Sequence, residues 1–405
     1  MTQASEFNPY RLVSSPFEGD FLGLEETLCT RLPAKFLSRF DRADLGPDIV
    51  AILDRIGEGE AALNLFRPEF GTIGLAVTKL WDEAPELEWI LGQFAIAAYM
   101  SGVTDTIDRR FRASRPVCVA GRLLRAAEFH VVGEDERLSV DDGEGRPLAR
   151  LRREPGPGVP VWREATDERA IAAGTLSQVI RSYGAWADEW GSPDPEPRPD
   201  GDPQFPPQVE SALRLMEEYA PEYYLWTAAL LREVVAKGRA GPDTTTSCSY
   251  LHNLGVVELC APASVLETAE MLVHECSHQH YNLASWWTRM VPEGAPDVYS
   301  ILKFQPRPLE RLLLGFHAFG NALMMYDLLR RRGAPVDPKD LAGRIVYVRS
   351  LVDALYLPLI ENKQWLSPSG ISVYQPLADL LIEHGLIQDE KNMVESGPRI
   401  EVTAD

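Results

Sequence analysis

Residues 267–283, ETAEMLVHECSHQHYNL, constrain this chain more than any other stretch, because they set His-Glu-x-x-His at His274, Glu275 and His278 inside a segment that reads as one helix. Histidines four residues apart share a helical face, so two imidazoles about one turn apart can bind one cation. Glu275 is rotated about 100° from His274 and flanks that face, within reach of a metal-bound water or a substrate. The preceding residues 268–273 are apolar enough to bury the helix, as a metal helix must be. Only seven histidines occur in 405 residues and three of them fall within 274–280, which marks the cluster as a site. His280 lies about 200° round the helix from His278 and is expected to be structural. Cys276 also points off the two-histidine face and reads as a small buried apolar residue.

Two ligands do not complete a site. Zinc hydrolases use three protein ligands and a water, and non-haem iron oxygenases use a facial set with open positions. The block 305–332, QPRPLERLLLGFHAFGNALMMYDLLRRR, reads as the helix that supplies the third donor. Pro308 suits its first turn, and Leu309, Leu312, Leu313, Phe316 and Leu323 fall at helical spacing. An imidazole on an apolar face is commonly a satisfied core histidine, but a metal helix in need of a donor makes His317 the expected third ligand. Glu310 is its carboxylate rival. Arg307 and Arg311 precede that face. A guanidinium repels a cation, yet it serves a dianionic cosubstrate whose far carboxylate needs a bidentate partner.

The rest of the chain frames this site. Its length allows two core-bearing domains, and 45% hydrophobic and 25% charged residues are ordinary for a soluble globular protein. A net charge of −20 argues against a nucleic-acid partner. The N-terminus lacks the basic flank and long apolar core of a secretory signal. The longest apolar region, 87–100, is interrupted by Glu88 and Gln93 and is too short to span a bilayer. Five cysteines without a Cys-x-x-Cys pair suit reduced thiols in the cytoplasm. The expected fold is α+β and mainly helical, with a small antiparallel sheet and a zincin-like strand beside the metal helix.

Helices are expected over 22–40, 48–65 and 85–101, then short strands over 117–119, 128–132, 137–140 and 147–152. The arginine-rich run 108–115 reads as a solvated face or a peptide contact, and His130 as structural. A helix over 167–190 leads into SPDPEPRPDGDPQFPP, which divides the chain into an N-terminal region 1–190, a linker 191–207 and a metal-binding domain 208–405. After the linker come helices 208–220 and 222–237 and a strand in which Tyr250, His252, Leu254 and Val256 alternate, with His252 a possible site residue. Further on, 341–360 reads as a helix with Val346, Leu351, Leu355 and Leu359 buried, 365–374 as a loop, and 375–384 as a last helix capped by His384.

The combination LVHECSHQHYNLA and, about twenty residues later, PRPLERLLLGFHAF resembles the HExxH-type family of 2-oxoglutarate-dependent peptide β-hydroxylases found with clusters for ribosomally made, post-translationally modified peptides. The similarity is firmest over 244–328. It implies iron(II) on His274 and His278, Arg307 as the anchor of 2-oxoglutarate, dioxygen as cosubstrate, and a precursor peptide or amino-acid-derived substrate hydroxylated at a β-carbon. It also implies that Glu275 orients a ligand or substrate group. In that family the downstream helix often has its histidine nearer the position of Leu314, where this chain has His317. Two other readings stand beside this one. In a zinc peptidase, Glu275 would deprotonate a zinc-bound water. A non-catalytic peptide binder would have no need of an intact Glu275.

Overall fold

Alternation with a period of two shapes much of the chain's first half. The computed structural model describes residues 8–57, 62–79, 87–113, 115–120, 122–154, 161–164, 169–173, 176–181, 204–238 and 246–396. In the basic run, Ile107 and Phe111 are buried while Asp108, Arg110 and Arg112 are exposed, so the run is largely β1 (Ile107–Arg112), the edge strand of a sheet. Arg109 pairs with Asp48 at 2.6 Å. β2 (Val117–Val119) and β3 (Arg122–Leu124) form a separate ribbon. β4 (Glu128–Glu134), β5 (Arg137–Asp142), β6 (Pro147–Glu154) and β7 (Val161–Glu164) complete the antiparallel order β1-β4-β5-β6-β7. His130, in β4, bonds Asp108 at 2.9 Å and is structural, as expected.

The chain divides into two units that interleave in sequence. A sheet unit comprises residues 25–210 and 228–263, and a second unit, called the metal unit for the candidate site it carries, comprises 1–24, 211–227 and 264–405. The chain therefore passes between units at 24/25, 210/211, 227/228 and 263/264, rather than at the proline-rich stretch, of which 191–203 lies outside the described residues.

Four helices accompany the sheets: α1 (Phe21–Leu37), which begins in the metal unit, α2 (Pro47–Gly57), α3 (Pro68–Lys79) and α4 (Leu87–Met100). Gln93 interrupts the apolar face of α4 for a reason: its amide donates to the Cys118 carbonyl at 2.8 Å and accepts from the Cys118 N–H at 2.7 Å.

Three expectations fail in this unit. The helix over 167–190 is instead the hairpin β8 (Arg169–Ala173) and β9 (Leu176–Arg181), with Ala173 opposite Leu176; residues 182–190 lie outside the described ones. The helix 222–237 is α6 (Pro221–Leu230) followed by β10 (Glu233–Lys237), because the β-branched pair Val234 and Val235 joins a parallel ladder between β9 and a later strand. That strand, β12 (Val256–Cys260), starts later than the alternation from Tyr250 suggests, and β11 (Ser247–Cys248) pairs with it antiparallel. His252 precedes it, and a side chain at Gly71 would meet the His252 carbonyl at 1.8 Å, so α3 approaches closely only because residue 71 is glycine. β12 thus belongs to the sheet unit, and the HExxH helix to the metal unit.

The metal unit is almost wholly helical. α5 (Phe205–Tyr219) enters it and α6 leaves it. Then come α7 (Val265–Ser285), the ribbon β13 (Asp297–Ser300) with β14 (Gln305–Pro308), α8 (Leu309–Arg331), α9 (Pro338–Asn362), α10 (Pro368–Glu383) and α11 (Glu390–Ser396). The loop expected over 365–374 already contains the first turns of α10, which Ser367 caps through the Gly370 N–H at 3.0 Å. In α9, Val348, Val352, Leu355 and Leu359 are buried and Val346 is 57% exposed, so the buried stripe is offset from the one expected. α8 is long and apolar enough to cross a bilayer by length and composition, but 83% of its most apolar stretch is buried within the protein. Mainly helical with small sheets, the described chain has the expected α+β character.

Candidate metal centre

Helix α7 starts from a capping box: the Ser264 hydroxyl accepts from the Glu267 N–H at 3.2 Å, and the Glu267 carboxylate accepts from the Ser264 N–H at 2.8 Å. That fixed start sets the phase of the helix. Glu270, His274 and His278 follow at four-residue steps and Tyr281 three further on, forming one stripe.

The donor atoms of His274, Glu275 and His278 all lie within 4.8 Å of one another, the one such metal-ready group among the described residues. The two rings have centroids 4.6 Å apart and planes at 80°. Ligands of one cation sit about 3–3.5 Å apart, given metal–nitrogen bonds near 2.1 Å, so small side-chain torsions close the set. The Nδ1 of His278 is buried without a hydrogen-bond partner among the described residues. Phe319 of α8 packs edge-on against His274 with centroids 4.4 Å apart.

Electrostatics prepare the pair. Burial lowers the pKa of His274 to about 4, against the nearby Glu270, which raises it. Burial likewise lowers that of His278, reinforced by His274, His317 and Arg311. Both rings are therefore neutral at neutral pH, the form in which imidazole binds a metal.

The other histidines are committed elsewhere. His280 stacks on Trp226 with centroids 3.5 Å apart and donates from Nε2 to the Trp226 carbonyl at 2.8 Å, which bears out its structural role. His317 is not part of the group. Its Nε2 donates to the Val13 carbonyl at 2.8 Å, and Asn321, one turn later, donates to the Ser14 carbonyl at 3.0 Å and accepts from Tyr223 at 3.0 Å. Phe319 is the α8 residue that packs on His274, whereas the His317 ring lies nearer Tyr281, with centroids 6.0 Å apart. The expected third ligand instead clamps the N-terminal segment. His384 is the C-cap residue of α10, as expected, and its Nδ1 also donates to buried Asp327 at 2.8 Å.

Glu310 is exposed in the first turn of α8, outside the group. Arg307 lies in β14 opposite Val298, half-buried. Arg311 is the arginine whose charge reaches both His278 and Tyr281.

Sequence reading missed a charged clamp one turn before His274. The Glu270 carboxylate accepts from the Tyr326 hydroxyl at 2.6 Å and from the Arg344 guanidinium, whose Nε is 3.0 Å away. The step of four from Glu270 to His274 was a visible signal. Tyr326 and Arg344 arrive from α8 and α9 and left none.

Compared with known proteins, the chain matches no family model and no curated protein.

Proposed function

We propose that this chain is an iron(II)- and 2-oxoglutarate-dependent oxygenase that hydroxylates the β-carbon of an amino-acid residue in a peptide, in the manner of the family its motif resembles. One observation carries the reading: His274, Glu275 and His278 converge, and burial leaves both imidazoles neutral. Two imidazoles and a carboxylate suit iron(II) or zinc. Bound iron(II) would supply the oxidising chemistry of dioxygen and the 2-oxo acid.

The chain's own residues do the rest. His274 and His278 hold the cation. Glu275, 2% exposed, completes the donor set or orients a coordinated group. Phe319 covers His274 with an apolar ring, which keeps bulk water from that side. A guanidinium from Arg307 or Arg311 receives the far carboxylate of the cosubstrate. A precursor peptide or amino-acid-derived molecule is the substrate, and five cysteines not joined in disulfides suit a reducing, cytoplasmic setting.

A zinc peptidase is the second reading, favoured by the Glu275 carboxylate lying among the imidazole donors, where it would take the proton of a bound water. Anaerobic protein given iron(II) and 2-oxoglutarate should show a weak visible charge-transfer band that shifts on adding peptide, and should form succinate once oxygen is admitted. Cleavage of peptide with zinc and no succinate with iron would replace the oxygenase by the peptidase.

A further inference from the structure

The clamp one turn before His274 is lopsided. Oε2 of Glu270 takes every hydrogen bond that this carboxylate receives from the described residues: the Tyr326 hydroxyl at 2.6 Å, Arg344 Nε at 3.0 Å and a second nitrogen of Arg344. Oε1 takes none, although a carboxylate has room for about four donors. At 6% exposure Glu270 has little water to turn to instead. Nor does stability call for a charge here, since apolar side chains of similar volume often replace a buried ion pair without loss.

His274 has the complementary need. Neither of its ring nitrogens is hydrogen-bonded to a described residue. His130, His280, His317 and His384, by contrast, each bond a carbonyl or a carboxylate. A cation takes one nitrogen of a ligating imidazole, and the N–H of the other then requires an acceptor, commonly a carboxylate.

Helix geometry brings the two together. Glu270 and His274 are four apart on α7, so their Cβ atoms lie about 5–6 Å apart on one face. Helical side chains lean towards the N-terminus, which carries the His274 ring over the turn that holds the carboxylate. Tyr326 from α8 and Arg344 from α9 fix that carboxylate, and Phe319 packs against the ring.

We infer that Glu270 is a positioning residue of the metal centre: its Oε1 accepts the His274 ring N–H that the cation leaves free, and so sets the tautomer and orientation of that ligand. Tyr326 and Arg344 act through it. The inference rests on the metal reading of His274 and His278, and is the same for iron(II) and for zinc.

The probe is zinc(II) alone, titrated into full-length protein against a competing chelator, with the melting temperature of the metal-free protein measured alongside. Glu270→Met combined with Arg344→Met removes the buried pair and leaves the Tyr326 hydroxyl its other acceptor, the Leu266 carbonyl at 3.2 Å. This double variant should melt near wild type and bind zinc about 10–100-fold more weakly. Arg344→Met alone should melt lower yet keep near wild-type affinity, because the carboxylate remains. Glu270→Gln, whose amide oxygen still accepts, should lose less affinity than the double variant. In zinc-loaded wild type the His274 ring N–H proton should resonate downfield and exchange slowly with solvent, and should lose both properties in the double variant. Wild-type affinity in the double variant, or affinity that falls in step with melting temperature across the set, makes Glu270 a packing residue and overturns the inference while the metal centre stands. A wild type that binds zinc no better than His274→Ala overturns both.

Discussion

The two faces of α7 present the same side chain under opposite conditions. On one face His280 is stacked on Trp226 and bonded to its carbonyl. On the other, His274 and His278 lie ring to ring, half-buried, with the Nδ1 of His278 bonded to nothing described. Burial by itself therefore does not separate a structural imidazole from a ligand. What separates them is whether a backbone carbonyl already holds one ring nitrogen, as it does for His280 and His317. His317 falls with His280 because the Val13 carbonyl takes the proton of its Nε2, although its Nδ1, like that of His278, is buried without a hydrogen-bond partner among the described residues.

The largest effect that tests the contrast is metal loss. His274→Ala and His278→Ala should each weaken metal binding by about a hundred-fold or more while the melting temperature stays near that of wild type. His280→Ala and His317→Ala should do the opposite, costing about 2–4 kcal/mol in chemical denaturation with metal content retained. If His317→Ala empties the site without destabilising the fold, the division between the two kinds of histidine is wrong.

A smaller effect comes from the clamp next to the site. Arg344→Met leaves the Glu270 carboxylate buried beside Tyr326 with its cation gone, and should cost about 2–3 kcal/mol, somewhat less than a fully buried pair because Arg344 is partly exposed. No loss of stability in urea would mean that water already screens the pair.

The third effect depends on pH. Burial raises the Asp327 carboxyl, but His384, Arg330 and Arg331 outweigh it, and its pKa lies below the usual 3.8. A folded value below the unfolded one means that the stabilisation is present above pH 3.8 and is lost as pH falls through the folded value. Asp327→Asn should therefore lower stability at neutral pH and flatten its acid limb. An unchanged limb would assign the acid sensitivity to other carboxylates. Least of all, Val346→Ser should change stability by no more than about 0.5 kcal/mol, while Val348→Ser, in the core, should cost several times that.

The metal helix could be read directly because its signal is local: the capping Ser264 and Glu267, the histidine spacing and the apolar approach all lie in one run of sequence. Where the reading failed, tertiary context outvoted local pattern. Residues 169–181 carry enough alanine and leucine to pass for a helix, yet Ile171, Val179 and Ile180 pair across a hairpin. Val234 and Val235 continue an apolar helix on paper and complete a ladder in fact. α3, with two glycines in PEFGTIGLAVTK, went unread because those glycines mark close approach rather than a break. At the site, the pair was visible and its surroundings were not, since Phe319, Tyr326 and Arg344 reach α7 only through helix packing. The partner that occupies His317, the Val13 carbonyl, lies more than three hundred residues distant in sequence.

That same contact bears on how the chain is made. Val13 and Ser14 leave the ribosome more than three hundred residues before His317, Asn321 and Val373, which receive them; the Ser14 hydroxyl reaches the Val373 carbonyl across 359 positions. Closing so long a loop is slow, and the unit that holds the histidine pair cannot finish its core before α10 has been made. The sheet unit, made earlier, has no such wait, so the two units complete their cores at different times, the later one set by the arrival of α10.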